Sequence, residues 1–245
     1  MNFTYTLVIT SCNRFDLLDR TLKSFIDFCD LSPAYIVVVE DSQNAGIFDV
    51  VQKYFPNAEI IINKRNIGQM ASIDRAYGRV TTPYIFHCED DWEFFRTGFI
   101  GESHIVLTSD PLVSMVGLRA RSEFNPLVRD LPATEVQGIG YIVMDPTRHP
   151  EHFSYSFNPG LRRRADAVAI GPFAALGGES DVSYHFKHRG FRNASLENPA
   201  VRHIGSGHHV DDPTQPKRHG NVIHRLGKSI RKRIKRLKRW MRDTQ

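Results

Sequence analysis

The chain has 245 residues, 41% hydrophobic and 24% charged, enough for one sizeable α/β domain and cramped for two. Its net charge of +5 belongs to the tail. Lys217–Arg242 holds 12 of the 32 Lys and Arg and no acid, leaving 20 basic against 26 acidic residues before it, a net of −6 that argues against nucleic acid as a partner.

In chain order, Thr6–Thr10 reads as a strand and Arg14–Cys29 as a helix with apolar Phe15, Leu18, Leu22, Phe25 and Ile26. Tyr35–Val39 is a nearly all-apolar strand, the pattern of a strand covered on both faces. Ile47–Tyr54 follows as a helix, Glu59–Ile62 as a strand, Gln69–Tyr77 as a helix and Pro83–Phe86 as a fourth strand. This alternation predicts a mostly parallel sheet with right-handed crossovers and a binding site at the carboxyl ends of its strands. Those ends carry Ser11-Cys12-Asn13-Arg14, Glu40-Asp41-Ser42 and Glu89-Asp90-Asp91.

Beyond Trp92 the pattern loosens. Gly98–Asp110 reads as a helix, Leu112–Leu118 and Tyr141–Met144 as strands, and His149–Arg164 as a loop-rich aromatic segment. A helix within Phe173–Phe186 is entered through Gly177-Gly178, and the Gly-, His- and Pro-rich stretch from His203 to Pro216 reads as a lid or linker. No apolar run approaches the roughly 20 residues that cross a bilayer, and the N-terminus reads directly as a strand with no signal-peptide pattern. Three cysteines without metal-ligand spacing point to a reducing compartment rather than a disulfide framework.

Three consecutive carboxylates at a strand mouth repel one another, and a hard divalent cation relieves the repulsion. Mg2+ or Mn2+ is commonly held by one or two such carboxylates together with substrate phosphates. Asn158-Pro159-Gly160-Leu161-Arg162-Arg163-Arg164 places three arginines that would meet either a diphosphate or anionic acceptor, or solvent.

Four segments in this order resemble the family 2 glycosyltransferases of the GT-A fold: Leu7–Arg14, Ile36–Ser42, Asn66-Ile67-Gly68 with Ala71, and Tyr84-Ile85-Phe86 leading into Glu89-Asp90-Asp91. The resemblance covers roughly residues 6–205. It implies a GT-A-type α/β catalytic domain over 1–216, with a nucleotide-binding half over 1–92 and an acceptor half over 93–216. The implied activity is metal-dependent, inverting transfer of a hexosyl or N-acetylhexosaminyl unit from a UDP- or GDP-type donor. The acceptor would be a glycan or lipid-linked acceptor of cell-surface polysaccharide synthesis.

By the same resemblance Asp41 binds the base, and Thr10 and Arg14 line the base and ribose pocket. Ser11, Asn13, Glu40, Asn66 and Gly68 complete the nucleotide-sugar site, with Glu89 towards the ribose and Asp90 near the donor sugar or metal. Asp91 is the implied metal ligand, joined by His203 or, second, His208. Glu179 is the implied base, with Asp181 as its alternative. A nucleotidyltransferase shares the α/β sheet and metal acids but needs a glycine-rich basic loop after the first strand, which Ser11-Cys12-Asn13-Arg14 does not supply. A non-catalytic, membrane-associated nucleotide-sugar-binding protein is the other reading.

The tail, residues 217–245, is a separate signal. Ile223, Leu226, Ile230, Ile234, Leu237 and Met241 recur at helical spacing, Trp240 flanks them, and Lys and Arg fill the other faces. This is the pattern of a helix lying on an anionic membrane. It predicts a cytoplasmic protein, peripheral at the inner face of the cell membrane.

Overall fold

The computed structural model describes residues 3–207, 210–214, 233–234 and 239. Strands β1 (Tyr5–Ser11), β2 (Tyr35–Glu40), β3 (Glu59–Ile62) and β4 (Tyr84–Glu89) are parallel and lie in the order β3-β2-β1-β4. Helices α1 (Phe15–Phe28), α2 (Ile47–Gln52) and α3 (Gln69–Tyr77) join them. All seven residues of β1 are buried, which is why its centre, Leu7-Val8-Ile9, is apolar without alternation. The register pairs Ser11 with Glu40 and Thr10 with Glu89, so three polar strand ends meet along one edge.

The chain continues through β5 (Trp92–Phe94), α4 (Phe99–Ser109), β6 (Val113–Gly117), α5 (Pro126–Arg129), β7 (Thr134–Val136) and β8 (Ile139–Val143). It then forms β9 (Gly160–Arg163), α6 (Arg164–Ile170), α7 (Phe173–Leu176), α8 (Glu179–His188), β10 (Arg192–Leu196) and β11 (Val201–His203). One nine-stranded sheet results, in the order β3-β2-β1-β4-β9-β6-β10-β8-β7, with β11 and β5 forming a separate pair. Its core packs Leu18, Leu22 and Phe25 of α1 with Leu7, Ile9, Phe86, Phe94 and Phe99. Each such side chain contributes roughly 1.5–3 kcal/mol on burial.

The segment expected to be loop contains a central strand. β9 runs antiparallel between β4 and β6. It fits because Gly160 has no side chain: a Cβ there would collide with the Val116 carbonyl. Two of the three arginines of this segment are tied to the protein itself. Arg162 is fully buried and donates to the carbonyls of Ser156 (3.1 Å) and Asn158 (2.9 Å). Arg163 pairs with Asp166 at 3.0 Å and donates to the Leu107 carbonyl at 2.6 Å, so it ties β9 to the end of α4.

Gly177-Gly178 does introduce a helix, α8, with the short α7 before it. His208 and nearly all of the basic tail lie outside the described residues. Among the described residues no helix is long and apolar enough to cross a membrane.

Candidate active site

A cleft of about 690 Å3 opens at the carboxyl ends of β1, β2 and β4, a size within the roughly 300–1,000 Å3 usual for small-molecule sites. One wall includes Thr10, Ser11, Asp41, Asn66 and Gly68. Arg14, Glu89, Asp90 and Asp91 form its acidic centre, and Glu179 and His203 close it from the second half of the chain.

Asp41 is anchored before any ligand arrives. Its Oδ1 accepts from Asn63 Nδ2 (2.6 Å) and the Ile67 N–H (2.9 Å), while Oδ2 accepts from the Gly68 N–H (2.8 Å). These bonds fold the Asn66–Gly68 turn onto β2. Gly68 takes a φ of 88°, the left-handed region that favours glycine. Glu40 and Asn13 do not line the cleft. Glu40 is fully buried, and its Oε1 accepts from the backbone N–H of Asn13 (3.0 Å) and Ser42 (2.8 Å). Together they shape the two strand-end loops from behind.

The acidic centre carries its own cation. Arg14 donates from Nη1 to Asp91 Oδ2 at 2.6 Å and from Nη2 to Asp90 Oδ1. Asp90 has no exposed surface and also accepts from the Cys12 N–H at 3.2 Å. Burial outweighs the pull of Arg14 and, with Asp91 nearby, pushes the Asp90 carboxyl up to about 6. Burial and the charges of Asp91 and Glu179 push Glu89 up to about 8. Glu89 is held by Gln69 Nε2 (2.6 Å) and Trp92 Nε1 (3.4 Å), two residues the sequence reading missed.

The short β5–β11 pair brings His203 to Asp91. His203 is registered with Trp92, and its Nε2 lies 3.2 Å from Asp91 Oδ2. The Ile204 N–H donates to the Asp91 carbonyl at 2.9 Å, and a Cβ at Gly205 would collide with the Asp91 carboxylate. Asp91 Oδ1 is buried with no hydrogen-bond partner among the described residues. An orphaned carboxylate oxygen next to an imidazole is a donor set suited to a divalent cation such as Mn2+. Among the described residues no group of three or more His, Cys, Asp and Glu side chains could hold a metal by itself. Substrate oxygens and water would have to fill the remaining positions.

Glu179, the first residue of α8, faces the cleft. Its Oε1 accepts from Ser156 Oγ (2.8 Å) and the Phe157 N–H (3.4 Å). Asp181 does not line the cleft. It caps α8 by accepting from the Gly178 N–H at 3.1 Å and pairs with Arg239 Nη2 at 2.5 Å. Two carboxylates a pair of residues apart on one helix therefore have different partners. Also absent from the sequence reading is Asp212, whose Oδ2 accepts from the Gln69 N–H at 3.0 Å and brings residues 210–212 over the cleft.

Several solved structures share this architecture at low identity. GalNAc-T7, solved with UDP, GalNAc and Mn2+, is similar with a TM-score of 0.60 and 15% identity over 82% of this chain and 44% of that one. The mannosyltransferase PcManGT from Pyrobaculum calidifontis, in complex with GDP-Man and Mn2+, gives 0.58 and 15% over 81% of this chain and 55% of that one. S. aureus TarS 1-349 gives 0.54 and 11% over 81% of this chain and 59% of that one. The chain thus spans about half the length of these neighbours, and what it shares with them is the fold. No curated protein sequence matches it. The model of the family described as Glycosyl transferase family 2 matches residues 6–166, and with the parallel half-sheet and its acidic strand ends inside that match, the chain belongs to this family.

Proposed function

We propose that this chain is an inverting, metal-dependent glycosyltransferase that uses a nucleoside diphosphate sugar. The observation that carries the reading is that one cleft is lined by the Asp90–Asp91 pair and by Glu179 from the second half of the chain. An inverting transfer needs both a site for departing diphosphate and a carboxylate across the sugar from it. Asp41 receives the base, because among the described residues its Oδ2 accepts one backbone N–H and keeps a lone pair for a ring N–H. Thr10, Ser11 and Asn66 line the nucleoside side. Arg14 lies at the acids rather than beside the base, and its role moves with it, towards the diphosphate.

A divalent cation, Mn2+ or Mg2+, held by Asp91 and His203, would supply charge neutralisation for the departing diphosphate. Glu179 takes the proton of the attacking hydroxyl. Its Oε1 is fixed by Ser156 and Phe157, which leaves Oε2 for the acceptor. The mannose- and GalNAc-related ligands of the neighbours support a hexosyl or N-acetylhexosaminyl donor. The basic stripe of the tail supports a place at an anionic inner membrane face and a lipid-linked or cell-surface glycan acceptor.

Titrating UDP- and GDP-sugars into the full chain with and without Mn2+, then assaying nucleotide release, tests the reading. Mn2+-dependent binding with release of UDP or GDP is expected. Release of sugar 1-phosphate would move the protein to the nucleotidyltransferases, and binding without any turnover would leave a sugar-nucleotide-binding protein.

A further inference from the structure

A second hollow of about 280 Å3 adjoins the cleft, and Arg119, Glu123, Asn158 and Glu179 belong to both walls. We propose that this hollow takes one neutral pyranose ring of the acceptor and presents one of its hydroxyls to Glu179. The proposal rests on the assignment of Glu179 as base.

One side of the hollow is apolar. Phe124, Val128, Met144 and Phe153 form a small cluster of their own, and all four line the hollow together with Tyr155. Aromatic faces of this kind suit the C–H face of a sugar ring. Phe153 has a φ of 80°, a left-handed conformation that is a genuine outlier for a bulky side chain. Strain of this kind concentrates at ligand-holding positions. The backbone holds this ring at the hollow against its own preference.

One polar atom of the hollow has no partner among the described residues. Asn193 Oδ1 is buried on this wall without a hydrogen bond among the described residues, so it is set to accept one from a ligand hydroxyl. The charges define the ligand's own charge. Arg119 is committed to Glu123, donating from Nε to Oε2 at 3.0 Å and from Nη2 to the backbone carbonyl at 3.2 Å. The net field of these three side chains is therefore that of Glu179. The wall's imidazole, His152, sits against His149 with ring centroids 4.4 Å apart. A carboxylate or phosphate in the hollow would meet a like charge. The volume falls just below the roughly 300 Å3 at which drug-sized pockets begin, room for one ring.

The test is saturation-transfer NMR on the full chain with UDP and Mn2+ present. The probes are the methyl glycosides of glucose, galactose and N-acetylglucosamine, with methyl glucuronide as the charged counterpart. At least one neutral glycoside should bind, and methyl glucuronide should bind about tenfold more weakly, a difference of about 1.4 kcal/mol. Phe153→Ala and Asn193→Leu should each weaken the neutral sugar by about tenfold while leaving the UDP–Mn2+ affinity unchanged. UDP binding by each variant verifies its folding, and Asn193→Leu carries the test if Phe153→Ala does not fold. No neutral glycoside bound, unchanged affinity in the folded variants, or glucuronide bound equally well would overturn the proposal. Failure of the wild-type chain to bind either UDP or GDP would instead sink the nucleotide-sugar reading, while the glycoside result still judges the hollow.

Discussion

Arg14 Nη1 lies 2.6 Å from Asp91 Oδ2, the same oxygen that His203 Nε2 approaches to 3.2 Å. The guanidinium thus stands where a cation is wanted and offsets the charge of a cluster that has little water to screen it. Asp91 keeps its second oxygen unbonded among the described residues.

Asp91→Asn should abolish the Mn2+ dependence of UDP or GDP binding. Without metal the substitution loses the contact to Arg14 but also relieves repulsion from Glu89 and Asp90, two effects of opposite sign. The melting temperature should therefore move by only a few degrees. Arg14→Gln should be far more costly, since it leaves the fully buried Asp90 without its cation. A loss of about 3 kcal/mol in a denaturant titration is expected, the low end for a broken buried pair because Arg14 keeps some exposure. Undiminished Mn2+ dependence in Asp91→Asn would remove this residue from the metal site.

Glu179→Gln should leave donor binding intact and cut turnover by at least about a hundredfold. The amide still reaches Ser156 and Phe157 but cannot take a proton. Asp181→Asn should show the opposite pattern, a lower melting temperature with turnover per folded molecule retained, because Asp181 faces Arg239 rather than the cleft. Steady-state kinetics beside thermal melts separates the two. Near-normal turnover in Glu179→Gln would dissolve the base assignment.

Strands β1 to β4 were legible because an apolar run between breakers has one local meaning, and the three acids ending β4 stood out on charge alone. Strand β9 was not legible, because its sequence, Gly-Leu-Arg-Arg, reads as a polar turn. The carbonyls of the loop before it, Asp166 after it and the Leu107 carbonyl at the end of α4 make Arg162 and Arg163 compatible with a sheet. Arg14 belongs to the same class. Its position after a strand end suggested a nucleoside contact, and only the pairing of β1 with β4 reveals that it reaches acids 76 and 77 residues away. His203 was singled out by the family resemblance alone, because the β5–β11 pair that aims it at Asp91 has strands of only three residues each and left no periodic trace. Glu179 and Asp181 could not be separated by sequence, because which side of a helix N-terminus faces a cleft depends on what packs against the other.

Cys12 lines the cleft, and burial together with the negative charges of Glu40, Asp41 and Asp90 pushes its thiol up to about 11. The thiolate is the nucleophile, and at pH 8 its fraction should be lower by roughly two orders of magnitude than for a free cysteine of pKa about 8.5. Iodoacetamide labelling of Cys12, followed by peptide mass spectrometry, should be correspondingly slow at pH 8. It should keep rising through pH 10 without a plateau. UDP with Mn2+ should slow it further by covering the cleft. A plateau near pH 9 would mean that burial and the neighbouring carboxylates do not raise this thiol.

The proposed membrane anchor shares the tail with a buried ion pair, and one deletion would confound the two. Arg239 is buried: its Nη1 lies 2.6 Å from Glu151 Oε1, its Nη2 2.5 Å from Asp181 Oδ1, and its guanidinium 3.9 Å from the centre of the Tyr184 ring. Glu151 and Asp181 are themselves buried, so removing Arg239 leaves two carboxylates without this cation at the start of the helix that carries Glu179. Arg239→Met should lower stability by about 3–5 kcal/mol, as expected for a broken buried pair. It leaves eleven other basic residues in Lys217–Arg242, so binding to anionic liposomes should persist. Deleting residues 221–245 should lower stability to the same extent and also release the protein from liposomes. Full-length binding should weaken steeply with salt, since the Debye length shrinks from about 10 Å at 0.1 M to about 3 Å at 1 M. Liposome co-sedimentation beside denaturant titration of the two variants reads both roles. Equal liposome binding by the truncated and full chains would remove the membrane anchor, and unchanged stability of Arg239→Met would remove the clamp.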